Sequence, residues 1–154
     1  MKTLLNKLLE DHNMQAKIPL PIVLFDFAVM HLIRIGRILK MPTKGHALII
    51  GLQGTGRQSL SKFAAFLSDH SVFEIEFGPG SAFEQWREGL KNTLVKTGQD
   101  GRSAVLMIPD SKLTTGNFIL GDLNNLLNSD SVPNLFPADD WMQIEEQLRA
   151  VAKR

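Results

Sequence analysis

The chain has 154 residues, a net charge of +1, 44% hydrophobic residues and 21% charged residues, which suits one soluble globular domain with a real core and argues against disorder. Lysine and arginine are scattered, so nothing favours nucleic acid as a partner. With no cysteine, disulfides and thiolate metal sites are excluded, and His12, His31, His46 and His70 show no ligand spacing.

Met1 to Glu10 read as a short helix with no export signal, because Glu10 and Asp11 follow where a longer apolar region and a cleavage site would stand. Pro19 and Pro21 mark a connection, and Ile22 to Lys40 read as a long helix ending before Pro42. The apolar stretch Ile18 to Leu39 is interrupted by Asp26, His31, Arg34 and Arg37. It therefore predicts a buried amphipathic helix and no membrane span.

Ala47-Leu48-Ile49-Ile50 then reads as the first strand, breaking into Gly51-Leu52-Gln53-Gly54-Thr55-Gly56-Arg57-Gln58-Ser59 and a helix from Ser59 to Ser68. A glycine, four residues, a second glycine, lysine and a hydroxyl residue is the phosphate-loop pattern, and it needs this strand-before, helix-after context. Gly51 and Gly56 hold their places, and Gly54 adds freedom for a path that turns several N–H groups toward an anion. Leu60, Phe63, Ala64 and Leu67 give the helix an apolar face, and its positive end would aim at the same point. Arg57 stands at the lysine position as a planar fork that can grip phosphate with different geometry. Gln58 replaces the hydroxyl that holds magnesium, and Ser59 lies about 100° further round the helix. Phosphate binding survives such changes more easily than catalysis does. The alternative is that the glycines only make a strand-to-helix turn.

Val72 to Phe77 read as the second strand, bounded by Gly78-Pro79-Gly80. Glu74 and Glu76 alternate on one face of it, as a solvent-facing edge would. Ser81 and Glu84 form a candidate capping box for a helix with Phe83, Trp86, Leu90 and Leu94 on one face, closed by a turn from Gly98 to Gly101. Ala104 to Ile108 read as the third strand. A polar loop follows, then a helix with Ile119, Leu123, Leu126 and Leu127, a loop with Pro133 and Pro137, and a last helix using Trp141, Ile144, Leu148 and Val151. Short apolar strands alternating with helices predict an α/β fold with a parallel sheet covered on both faces.

Phosphate-loop enzymes usually end an apolar strand in an aspartate for magnesium, often followed by a glutamate that polarises water. Here Val105-Leu106-Met107-Ile108 runs into Pro109-Asp110-Ser111. Asp110 can be the magnesium aspartate with Ser111 in the glutamate position, or Pro109 can hold the aspartate position and Asp110 the glutamate's. Either alignment leaves one carboxylate missing. A cap or turn role for Asp110 is the competing reading.

Gly56-Arg57-Gln58-Ser59-Leu60 is an unusual end to a phosphate loop, and the chain resembles the fourth AAA+ module of axonemal dynein heavy chains. The resemblance extends through Val23-Leu24-Phe25, Arg34 to Leu39, Ala64-Ala65-Phe66, Val72 to Ile75 and Glu84 to Glu88. It is strongest at Leu123 to Ser129 and Val132 to Phe136. Arg57 and Gln58 match the axonemal version of this module. Pro109 departs from it at a position that more often holds a small polar residue, and Asp130-Ser131 stands where Gly-Glu is more usual.

The resemblance implies a three-layer αβα P-loop NTPase fold, with residues 21–154 as a partial AAA+ domain, the large subdomain only, after an N-terminal helix and connection at 1–20. It further implies strand order 5-1-4-3-2, with two strands, the sensor residues, the arginine finger and the helical lid outside this sequence, and thus a segment or truncation of a longer dynein-like chain. ATP or ADP would be held by residues 51–59, with the base near Pro21 to Leu24, as a regulatory or structural ligand with weak or no hydrolysis. Magnesium is an open question, and Asp110 is the one candidate catalytic residue. Implied partners are neighbouring AAA+ modules of the same heavy chain and dynein complex subunits, with microtubules only indirectly. No membrane partner is implied, and the implied location is the cytoskeleton of the cytoplasm and the ciliary axoneme. A nucleotide-free packing module and an autonomous phosphotransferase are the competing functions.

Overall fold

The computed structural model describes residues 2–152, without the side chains of 147 and 150–152, and divides into two compact units, Met1–His70 and Ser71–Arg154. The expected role of Val151 in the last helix falls outside the described side chains.

The first unit is helical. Helix α1 (Lys2–Gln15) runs five residues beyond Glu10. Asn13 then ties back the proline-containing connection, accepting from the Leu20 amide at 2.8 Å and donating to the Leu20 carbonyl at 3.3 Å. This doublet copies the pairing a neighbouring strand would make, so the connection stays extended and buries Leu20 and Leu24. Helix α2 (Asp26–Leu39) consequently starts four residues later than the sequence suggests, with Phe25 still extended before it. It buries Ala28, Leu32 and Ile35, and the last two pack with Leu9, Leu24 and with Phe63 and Ala64 of α3 (Arg57–Leu67). Only one face of α2 is buried, and Phe27 is 65% exposed on another.

Residues 47–50 do not form the expected first strand. Ile49 packs against the core of this unit, but Leu48 and Ile50 are each 85% exposed. The alternation is that of an extended segment, and the physical reason for the difference is the absence of a partner. A strand exists by exchanging N–H and C=O bonds with a neighbour, and the strand pairing among the described residues is that of 71–74 with 104–107.

In the second unit, β1 (Ser71–Glu74) and β2 (Ala104–Met107) form a two-stranded parallel sheet with Ser71 opposite Ala104 and Glu74 opposite Met107. The expected second and third strands are thus neighbours and parallel, although β1 ends three residues before Phe77. The connection is α4 (Ala82–Asp100), whose N-cap Ser81 accepts from the Glu84 amide at 3.4 Å and whose C-cap Gly101 is left-handed at φ 60°. The helix therefore continues through Gly98, and only Gly101 makes the turn. Trp86 and Leu90 are buried as the stripe predicts, while Phe83 and Leu94 are exposed.

A short helix absent from the sequence reading, α5 (Asp110–Leu113), follows β2 and leads to α6 (Asn117–Ser129) and α7 (Ala138–Ala152). Lys112 of α5 bonds Glu76 at 3.2 Å and lies over the Phe77 ring. Ile119 of α6 is fully buried against Trp86, Leu90 and Ile75, whereas Leu127 and Trp141 are about half exposed.

Gly89 sits where α4 crosses this core. A Cβ there would lie 2.7 Å from Cγ2 of Ile75, a stiff, buried, β-branched neighbour. Gly89→Ala gains up to about 1 kcal/mol of helix propensity, against an overpacking cost of about 1–3 kcal/mol. The overlap wins, so urea denaturation should show net destabilisation of roughly 1 kcal/mol. A more stable alanine variant would contradict this packing.

Candidate functional site: a glycine loop at a helix N-terminus

The loop from Gly51 to Ser59 lies wholly in the first unit. Gly54 and Gly56 have φ 83° and 77°, the left-handed region where a β-carbon is strained. A Cβ at either position would meet nothing within 4 Å, so the glycines serve backbone direction, and the space beside them is open. At Gly51 the reason is different. A Cβ there would approach Thr55 Oγ1 to 3.2 Å and Arg57 Cδ to 3.4 Å.

Thr55 closes the loop, its hydroxyl donating to the Leu52 carbonyl at 2.8 Å and its amide to the same oxygen at 3.4 Å. Gly56 is the N-cap of α3, and the first backbone bond of the helix runs from the Leu60 amide to the Gly56 carbonyl at 2.8 Å. The amides of Arg57, Gln58 and Ser59 come before that bond and point out of the helix end, which carries the positive pole of the macrodipole. Arg57, half-buried, adds a guanidinium whose stem folds back along Gly51. No acidic residue lies in the first turn of α3 to compete for the positive end. Left-handed glycines, open space, aligned amides and a cation together make a cradle chemically suited to phosphate.

Leu52 is 81% exposed, and Gln53 and Gln58 are also exposed. Ser59 is half-buried on α3, and Ser61 is occupied by its bond to the Arg57 carbonyl at 2.8 Å. In the segment assigned to the base by resemblance, Leu24 is buried in the core while Val23 is 81% exposed.

Asp110 belongs to the second unit, at the start of α5, where its Oδ1 accepts from the Ser111 amide at 3.1 Å. That contact is local to the first turn of α5, whose N-cap is Pro109. Sequence reasoning passed over Asp122, buried to 5% exposure. Its Oδ2 accepts from Trp86 Nε1 at 2.9 Å and its Oδ1 from Arg87 Nη2 at 3.2 Å, while Arg87 Nη1 donates to the Pro133 carbonyl at 2.9 Å. The sequence signal was an acid inside the apolar spacing of α6. No set of three or more His, Cys, Asp or Glu side chains among the described residues is placed to hold a metal, and no described helix is long and apolar enough to cross a membrane.

A helical first unit bearing a glycine loop at a helix N-terminus, and a second unit built on parallel strands, make this an incomplete αβα P-loop architecture. The family model of the P-loop containing dynein motor region D4 matches residues 20–154, and the chain belongs to that family. It is 38% identical to human dynein axonemal heavy chain 3 over 145 residues, 94% of this chain and 4% of that protein. Rat dynein axonemal heavy chain 1 is 34% identical over 149 residues, covering 97% of this chain and 3% of the relative. The Chlamydomonas reinhardtii dynein-1-beta heavy chain of the flagellar inner arm I1 complex is 36% identical over 154 residues, 99% of this chain and 3% of its own length. The chain thus spans about 3–4% of the length of these curated relatives.

Proposed function

We propose that this chain acts as the large subdomain of the fourth AAA+ module in an axonemal dynein heavy chain, and that residues 51–59 hold ATP or ADP as a structural or regulatory ligand with little or no hydrolysis. The observation that carries the reading is the pair Gly54 and Gly56, left-handed and facing open space, leading straight into the N-terminus of α3 beside Arg57. Weak turnover follows from the substitutions. Arg57 and Gln58 stand where hydrolytic loops use lysine and a hydroxyl, and Asp110 spends one carboxylate oxygen on the Ser111 amide.

In this proposal the nucleotide ties the loop to the rest of a motor ring in the ciliary axoneme. The partners are neighbouring AAA+ modules and other dynein subunits, and microtubules are engaged only through the complete heavy chain. A nucleotide-free packing module is the second reading, favoured by the exposure of Leu48, Ile50 and Leu52 beside the loop.

A melt of the purified chain with and without ADP separates the two, run once with magnesium and once with EDTA. ADP at about 100 times its dissociation constant should add roughly 2.7 kcal/mol and raise the midpoint by several degrees. Gly56→Val, which forces a β-branched residue to positive φ at a strain of about 1–3 kcal/mol, should abolish that shift. A midpoint unmoved by ADP in both conditions, with no binding by calorimetry, selects the packing module.

A further inference from the structure

The nucleotide of a P-loop ordinarily arrives with magnesium, which demands near-octahedral oxygen ligands at about 2.0–2.1 Å and usually takes a compact protein oxygen together with phosphates and waters. The residues of this loop do not supply that set. Position 58, where the hydroxyl belongs, carries the longer, neutral and exposed amide of Gln58. Of the nearby hydroxyls, Thr55 is turned toward the Leu52 carbonyl and Ser61 toward the Arg57 carbonyl, each at 2.8 Å, and Ser59 stands about 100° further round α3 than the position that normally carries the ligand. At the end of β2, Pro109 and Asp110 leave a single carboxylate, and one of its oxygens accepts from the Ser111 amide.

What the loop has in place of these ligands is a second source of positive charge. Arg57 is the first residue of α3, and the Cγ and Cδ of its stem lie along Gly51, which brings a cationic side chain to the same loop as α3's amide-bearing end. A planar cation with five donors can neutralise a diphosphate by paired N–H bonds and needs no ordered waters.

We infer that residues 51–59 take nucleotide without a divalent cation, Arg57 supplying the charge that magnesium supplies in hydrolytic P-loops. The inference rests on the reading of this loop as a nucleotide site, and it goes further by naming the ligand as metal-free ADP or ATP.

Isothermal titration of the 154-residue chain with ADP, in excess magnesium and in EDTA, tests it. The two dissociation constants should differ by less than about tenfold, one decade corresponding to about 1.4 kcal/mol. Arg57→Ala should lose at least about tenfold more affinity in EDTA than in magnesium. Gln58→Ser, which returns a hydroxyl to the position, should create a preference for magnesium that the unaltered chain lacks. Binding that requires magnesium in the unaltered chain, or Arg57→Ala binding undiminished in EDTA, overturns the inference and leaves the nucleotide site standing. Absence of binding in both buffers overturns the nucleotide site itself, and the inference with it.

Discussion

Replacing Asp122 by alanine is expected to destabilise the unit Ser71–Arg154 by about 3 kcal/mol, the lower end of what removing one partner from a buried ion pair costs. The carboxylate is the common acceptor for two adjacent residues of α4. Trp86, 1% exposed, cannot recover water for its indole N–H once Oδ2 is gone, so a buried donor is left without its bond. Arg87 is different, because its side chain is 23% exposed and water can replace part of what Oδ1 supplied. That difference is why the lower end of the range applies.

The loss should extend beyond the pair. Arg87 also bonds the Pro133 carbonyl, so loosening the guanidinium frees the loop that buries Val132 and Leu135. Urea denaturation followed by tryptophan emission is the measurement, since Trp86 and Trp141 both lie in this unit. Asp122→Asn keeps the shape and one carbonyl oxygen for Trp86 and should fall between the alanine variant and the unaltered chain. A shift below about 1 kcal/mol for Asp122→Ala, within the range of exposed pairs, would mean that the pair is solvated.

Phe63→Ala should cost the first unit about 3–5 kcal/mol, the usual range for deleting a fully buried aromatic ring. Phe63 is wholly buried on α3, packed with Leu9, Leu24, Leu32 and Ile35, and its ring lies 6.2 Å from that of His12. Nothing small can replace it without leaving a cavity lined by α1, α2 and the extended connection. The variant also probes the site from a distance. α3 carries the loop at its N-terminus, so a helix that frays loses the alignment of the amides at 57–59 although Phe63 lies two turns from Gly56. Amide exchange over Arg57–Leu67 should accelerate, and the ADP-induced rise in melting midpoint should shrink. Phe63→Leu, which keeps most of the volume, should cost far less. Full ADP affinity in a destabilised Phe63→Ala chain would uncouple the loop from the core beneath it.

Much of the site is legible in the residues alone. The spacing of Gly51, Gly54 and Gly56 dictates a tight turn into a helix, because only glycine takes left-handed dihedrals without strain, and both Gly54 and Gly56 adopt them. The βαβ pairing of 71–74 with 104–107 follows from two short apolar runs flanking an amphipathic helix, and the caps at Ser81 and Gly101 are local chemistry. These features depend on neighbours within a few residues, or on a periodicity that one segment displays by itself.

Other features were decided only by tertiary structure. Ala47–Ile50 has every local attribute of a strand, yet strand formation is a property of two chains of backbone, and its donors and acceptors find no partner strand among the described residues. Nothing in the residues around Asn13 marks it until folding brings the Leu20 amide and carbonyl against it. Asp122 stands as an acid inside the apolar spacing of α6, and periodicity cannot say that an indole and a guanidinium await it on another helix. Arg57 was legible as a substitution, but its course back along Gly51 depends on the loop's three-dimensional path. Sequence alone determined the local conformations and the family; tertiary structure decided which polar groups and strands found partners, since a partner distant in the chain leaves no mark on the residues that await it.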